Sequence, residues 1–368
     1  MSTPEAEPPV KPWITRVPGG RAFASWSRRV RTLTVAGVLF VVLFLLAVLL
    51  PVPYVVLVPG PTYNTLGQDP YSKDPVIVLS GRAARSAGGH LNMTTVQIQS
   101  GDVTAGEALV AWLKGDEIVL PRTAITPPGT SDEQQEKQDT QDFVSSQDSA
   151  TVAALCELGY PRGFGVVTVL DDGPSHGVLR PGDQFVTVDG RPAGTSQKLF
   201  AITQSLTPGK TVPVVVTRRG KPVRTQVKVA APPSGQKGAR LGVSVDDTCL
   251  APFSVTIHLE NVGGPSAGLM FALAIVDKAG SRDLTGGRFV AGTGEIKPDG
   301  SVEPIGGIQL KMIAARRKGA TVFLAPAGNC SDVRKATPHG LKVIKVSSLH
   351  GAIQDLLALQ QGKAVPGC

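Results

Sequence analysis

Hydrophobic positions along this chain fall into three textures. The first is one unbroken run, Leu33 to Leu50 (LTVAGVLFVVLFLLAVLL), 18 residues without a charge and about the length a helix needs to cross a bilayer core. The second begins at Gly163, where short apolar runs alternate with tight turns: FGVVTVL, LRPGDQFVTVDGRP and TVPVVVTRRGKPVRTQVKV. Period-two alternation with such punctuation predicts strands. The third follows FSVTIHLE (253–260), itself strand-like. There NVGGPSAG leads into LMFALAIVDKAG, which is apolar on every side until Asp277 and Lys278 and so predicts a buried helix.

Between the first two textures the pattern is mixed. Residues 54–66 read as an extended lead, with strands at 75–81 and 90–98. A helix is predicted from Thr104 to Leu113, where Ala105, Ala108, Leu109 and Trp112 share a face. The polar, Pro/Gly-bearing stretch 126–142 reads as an exposed loop. SSQDSATVAALCELG (145–159) reads as a helix capped at Ser145 or Ser146 and stopped by Gly159. The chain is thus of α+β class with room for more than one core in its 368 residues.

Charge sharpens the reading of the first run. The formal net charge is +8, and half of that excess sits in residues 1–50, where Lys11, Arg16, Arg21, Arg28, Arg29 and Arg31 face only Glu5 and Glu7. The next charge downstream is Asp69. By the positive-inside rule residues 1–32 form a cytoplasmic head, residues 33–53 a single-pass anchor in the cell membrane, and the rest lies outside the cytoplasm. A cleaved signal peptide would have a shorter apolar core and a small-x-small site after it. The basic excess lacks the clustering and aromatic interleaving of a nucleic-acid surface, so no nucleic-acid partner is expected. Cys156, Cys249, Cys330 and Cys368 all fall on the outer side, where disulfides persist. Their spacing is not that of a zinc site, so no metal is expected. A Cys330–Cys368 bridge would tie down the tail.

Candidate chemistry centres on Ser266, set in Gly263-Gly264-Pro265-Ser266-Ala267-Gly268 at the entrance to the buried helix. A serine there is either an ordinary helix cap or a nucleophile beside unpaired backbone N–H groups. None of the five histidines has the context of a catalytic triad. Lys311 is the better base candidate. On a helix starting near Gly307 it shares a stripe with Ile308, Met312 and Ala315, while Arg316, Arg317 and Lys318 gather at the C-terminal end. A lysine on an apolar stripe either snorkels to water or is desolvated, and only in the second case does its pKa fall toward neutrality.

Two resemblances bear on these residues. Leu179-x-Pro181-Gly182-Asp183 followed by Val186 to Gly190 resembles the PDZ domain, over about 161–232. That resemblance implies an extended peptide added as a strand, its carboxylate held by the loop Arg162-Gly163-Phe164-Gly165. A small β-domain that only spaces its neighbours is the alternative. Gly264-Pro265-Ser266-Ala267-Gly268 and Gly306-Gly307-Ile308-Gln309-Leu310-Lys311 together resemble the proteolytic domain of Lon proteases, over 238–362. So does the connecting AGTGEIKPDGSVEPIGG (291–307). This second resemblance implies a Ser–Lys dyad cleaving peptide bonds, with Thr293 positioning the lysine. Backbone around Gly264, Pro265 and Ala267 would hold the oxyanion. It also implies protein or peptide substrates, a homo-oligomeric state, and a contribution to the protease fold from residues 54–160. Pro208-Gly209-Lys210-Thr211 lacks the glycine a Walker loop needs at 204, where Gln204 stands, so no ATP and no other cofactor is expected. The combination is similar to bacterial membrane-anchored proteins joining PDZ and Lon-type domains. A PDZ scaffold without catalysis is the rival reading.

Overall fold

The structure, a computed structural model, describes residues 27–368 except 87, 100, 171, 219, 234–236, 260 and 261. Most of the expected basic head, including Lys11, Arg16 and Arg21, lies outside the described residues. Helix α1 (Arg28–Leu49) begins at Ser27, whose Oγ accepts from the Val30 N–H. It is apolar on all sides, with a mean hydropathy of 2.8 and no buried residue. It is the one helix among the described residues long and apolar enough to cross a membrane.

Next come β1 (Tyr54–Asn64), β2 (Ile77–Ser80), β3 (His90–Ile98), α2 (Ala105–Lys114), β4 (Ile118–Pro121) and α3 (Asp132–Glu157). Helix α2 starts in a capping box of Thr104 and Glu107 and stops at Gly115. Helix α3 corrects the expected loop at 126–142 and the expected cap at Ser145 or Ser146. It starts at Asp132 in a capping box of Ser131 and Gln134. Its first three turns are held by polar i,i+4 pairs such as Lys137–Glu133 and Gln138–Asp142 rather than by an apolar face. Hydrophobic periodicity is therefore silent there.

Strands β5 (Arg162–Val169), β6 (Gln184–Val188) and β7 (Arg191–Pro192), helix α4 (Ser196–Ser205), and strands β8 (Thr211–Arg218), β9 (Lys221–Lys228) and β10 (Val243–Cys249) form a separate antiparallel unit. Its main sheet has the order β10-β5-β6-β8-β9, and its core includes Val166, Phe185, Leu199, Val214 and Val227. An ion pair buried at one end, Arg218 Nε to Asp183 Oδ1 at 2.7 Å, fixes the turn at Pro181-Gly182-Asp183 to β8.

The chain then returns through β11 (Ser254–Ile257), α5 (Gly268–Ala279), β12 (Phe289–Gly292), β13 (Glu295–Ile296), β14 (Val302–Glu303), α6 (Ile308–Lys318), β15 (Val322–Pro326), α7 (Cys330–Ala336), β16 (Lys342–Val346) and α8 (Leu349–Gln360). The six-stranded sheet β16-β15-β12-β3-β1-β4 interleaves strands from both sides of the antiparallel unit. β12 pairs in parallel with β15 on one side and with β3 on the other. Helix α5 is wholly buried between this sheet and α3, with Phe271 edge-on to Phe143 at 5.8 Å.

Two disulfides close the frame, Cys156–Cys249 and Cys330–Cys368. The first joins the end of α3 to the end of β10 across 93 residues of sequence. Cross-links over so long a loop act chiefly on the unfolded chain. Replacing Cys156 and Cys249 together by alanine should therefore lower stability by about 3 kcal/mol, read as a lower denaturation midpoint of the detergent-solubilised protein. An unchanged midpoint would show that packing alone carries this junction.

Candidate active site

The turn before α5 is held from three directions. Gly264 has φ +80°, a conformation open to glycine, and its N–H donates to the Asp139 carbonyl at 2.8 Å. The Pro265 carbonyl accepts from Ser146 Oγ at 2.9 Å. The Ser266 carbonyl accepts from the Gly294 N–H at 2.8 Å and from Thr293 Oγ1 at 3.0 Å. Gly268 must lack a side chain, since a Cβ there would lie 2.8 Å from both Ile296 Cγ2 and Ser146 Oγ. The result presents Ser266 half-buried at the surface of a rigid helix start.

Lys311 arrives from the other side. Gly307, at φ +66°, turns the chain into α6, and one helical turn later Lys311 points inward, 4% exposed. Its Nζ lies 2.6 Å from Ser266 Oγ and 3.1 Å from Thr293 Oγ1, itself fully buried. Burial lowers its pKa from the ordinary 10.5 to about 7. Lys278 makes the contrast. It is also buried and also lowered by desolvation, but the neighbouring Asp277 opposes the fall, and its Nζ is spent on the Ile77 carbonyl at 3.1 Å. Lys311 faces two hydroxyls, neither of which balances a charge.

The structure therefore brings Ser266, Lys311 and Thr293 together, and it corrects the expected oxyanion set. The Gly264 N–H is already donated to Asp139, and Pro265 has none to give. Among the described residues no backbone carbonyl takes the N–H of Ser266 or of Ala267, so Ala267 stays in the expected set and Ser266 joins it as a candidate donor. Sequence reasoning missed Ser146 and Asp139, which brace the turn from α3. The Ser131–Gln134 capping box was the available signal that α3 reaches them.

The expected peptide loop is also different. Arg162, Gly163, Phe164 and Gly165 are the first residues of β5, paired antiparallel with β10 from Arg162↔Cys249 to Val169↔Val243. The edge that would receive a peptide already carries a strand of the same chain. Alternate residues Val243 and Val245 pack on the core that contains Val166, Leu199 and Ile202. The physical reason is covalent as well as apolar, because Cys249 ends β10 in its disulfide to Cys156.

A groove of about 1070 Å³ lies along α3. Its lining includes the apolar Val55, Ile98, Phe143, Leu259 and Val262, the acidic Glu136 and Asp139 of α3, and Gly263 of the serine turn.

An amine whose pKa burial lowers to about 7, in contact with an alcohol and beside N–H groups that no described carbonyl takes, is the arrangement of a nucleophile, base and oxyanion site for acyl transfer. The comparisons with known proteins agree with that class. Residues 199–359 match the Lon protease (S16) C-terminal proteolytic domain, and residues 136–229 match the PDZ domain. The chain carries a Lon-type proteolytic domain together with a PDZ domain. It is similar to Lon protease 1 of Bacillus subtilis, at 31% identity over 43% of this chain and 21% of that protein. It is also similar to the Lon protease of Geobacter metallireducens, at 40% identity over 26% of this chain and 11% of that one. The chain thus spans about a fifth or less of the length of these relatives. A solved PDZ domain of an SdrC-like protein from Listeria monocytogenes is 26% identical, with 24% of this chain and 90% of that chain covered at a TM-score of 0.22.

The depressed pKa fixes two signs. Only the neutral amine can take a proton, so turnover should rise with pH through about 7, where burial puts the Lys311 ammonium. Folding runs the same way. Between about 7 and 10.5 the unfolded chain binds a proton at this position that the folded chain does not, so this group's contribution to stability improves as pH rises. Lys311→Met removes that penalty and should stabilise the fold by about 3 kcal/mol at pH 8 while abolishing turnover. Denaturant titration of both proteins at pH 8 checks it, and a variant no more stable than the parent would place the amine in water.

Proposed function

We infer that the protein is a serine endopeptidase working without ATP. The single observation that carries this reading is the 2.6 Å approach of a buried lysine, lacking any counter-charge, to the Ser266 hydroxyl. Ser266 Oγ attacks the scissile carbonyl as its proton passes to Lys311 Nζ, forming the new C–O bond and an oxyanion held by the Ser266 and Ala267 N–H groups. The C–N bond then breaks, with the leaving amine taking the proton from Lys311. Water then attacks the acyl carbon as its proton passes to Lys311 Nζ, the bond from that carbon to Ser266 Oγ breaks, and Oγ takes the proton back as the new carboxyl product leaves. Thr293 holds Nζ on the line to Oγ through its 3.1 Å contact. The groove beside Gly263 receives an extended polypeptide with apolar side chains toward its apolar lining.

The reading places this activity on the outer side of a cell membrane, tethered by residues 33–53. It draws support from the length and hydropathy of α1 and from the six Lys/Arg that precede residue 33. The strands of the six-stranded sheet support a further point of layout, that the PDZ unit is an insertion within a protease fold begun by residues 54–160. For that unit the pairing of β5 with β10 favours a narrower role than capture of free peptide tails: its groove holds its own strand. A homo-oligomer remains part of the proposal on the resemblance alone.

Two measurements test these statements. Ser266→Ala should lower cleavage of unfolded casein by at least about 10³-fold with the disulfides and fold intact. A parent protein that leaves casein uncut would favour a scaffold. For the PDZ unit, hydrogen exchange should find the β10 amides of Ser244 and Asp246, which face β5 in the ladder, protected as well as those of β8. Rapid exchange there would mean the groove stands open.

A further inference from the structure

Outside α1, the densest group of exposed apolar side chains is on α2. Leu109, Val110, Trp112 and Leu113 are 55%, 53%, 70% and 68% exposed. Gly106, Leu109, Val110 and Leu113 follow the i, i+3, i+4, i+7 spacing of one helix face, with Trp112 beside it. Ala108 and Ala111 turn the other way, onto Val56 and Val103. The stripe carries no charge. Glu107 is turned back to the Thr104 N–H at 2.9 Å, and Lys114 is paired with Glu117 at 2.7 Å.

The position of this face decides what covers it. A Cβ on Gly106 would fall 2.5 Å from Val48 Cγ1, so α2 touches α1 on the same face that bears Leu109 and Leu113. The Val52 N–H donates to the Val103 carbonyl at 2.8 Å and the Ala105 N–H to the Leu50 carbonyl at 3.1 Å, which fixes the start of α2 against the end of α1. Val48 and Leu50 belong to the uncharged run that ends α1. A short helix locked at that height, about 15 Å long and apolar toward the span, is at the depth of a bilayer interface. Tryptophan concentrates in that zone.

We propose that α2 lies in the outer interface of the membrane, with Leu109, Val110, Trp112 and Leu113 immersed in lipid, and holds the catalytic body down on the bilayer surface. The proposal rests on the reading that α1 spans the membrane. The partner is the lipid surface itself, since the face continues an apolar span that must be surrounded by acyl chains.

The test uses the full chain in nanodiscs of mixed phosphatidylcholine and phosphatidylglycerol, with Trp13→Phe and Trp26→Phe so that Trp112 is the only indole left of three. Lipids brominated on the upper acyl chain should quench its emission at least about two-fold while aqueous iodide leaves it nearly unchanged, as expected for an interfacial ring. Leu109→Glu with Leu113→Glu, both at exposed positions, should reverse the two quenchers without detaching the chain. Quenching by iodide alone would overturn the proposal. So would protection from both reagents, which would mean that protein, such as a second copy, covers the face. Alkaline carbonate extraction of the chain from membranes separates the failures. A fully extracted chain overturns the spanning reading, and this inference with it. A retained chain whose Trp112 answers only to iodide overturns this inference alone.

Discussion

Burial of the Lys311 amine without an opposing charge is the constraint around which the catalytic half is arranged. An ammonium in that place would lose its hydration and gain only two hydroxyl dipoles, so the folded chain favours the neutral form. Every neighbour serves that outcome. Helix α6 lies against β1 and β3, so Lys311 enters from the sheet side instead of from solvent. Thr293 and Ser266 are neutral. Replacing either by a carboxylate would raise the lysine pKa and end its use as a base. The other buried lysine, Lys278, stands beside Asp277 and so keeps part of the support for its charge that Lys311 lacks.

The same site needs both ends of an interrupted chain. Ser266, Thr293 and Lys311 follow the antiparallel unit, whereas Ser146 and the Asp139 carbonyl, which brace the serine turn, precede its first strand β5. β3 completes the sheet that carries Thr293, through its parallel pairing with β12 and the bond from Thr94 Oγ1 to the Gly292 carbonyl at 3.1 Å. Residues 54–160 are therefore structural to the turn they never enter in sequence. β10 is the connection between the units. It fills the edge of β5, is fastened by Cys249, and a few residues later becomes β11, which leads to the serine.

Much of this was legible because local rules and global fold agree. A helix apolar all round has to be buried, and α5 is. Ser266 and Lys311 lie 45 residues apart, across α5, β12 and the β13–β14 hairpin, so their pairing was legible through the family resemblance of the two motifs and not through local spacing. The helix expected over Thr104 to Leu113 from its apolar spacing matches α2 to within a residue at each end. The failures are equally physical. The first half of α3 is stabilised by side-chain pairs and a cap, with no apolar stripe to find. β10 carries no strand expectation in the sequence, where Asp246-Asp247 interrupts its apolar positions, and nothing local reveals that its partner is β5. The direction of the Gly264 N–H depends on a carbonyl supplied from residue 139, which only the tertiary structure brings near.

On the endopeptidase reading, these features also limit what can be cut. Ser266 sits half-buried behind a turn that cannot retreat, because Gly268 is wedged against Ile296 and Ser146. A scissile carbonyl must come within about 3 Å of Oγ to react, and at a half-buried hydroxyl the packed interior of a folded domain cannot supply one. The substrate must therefore arrive extended. The groove begins at Val55, six residues beyond the end of α1, a span of at most about 20 Å of extended chain. If α2 holds the body down, the polypeptides best placed to enter are unstructured segments close to the membrane surface, where tethering raises their effective concentration. Selection by proximity and lack of structure would then take the place of selection by an energy-driven unfolding partner.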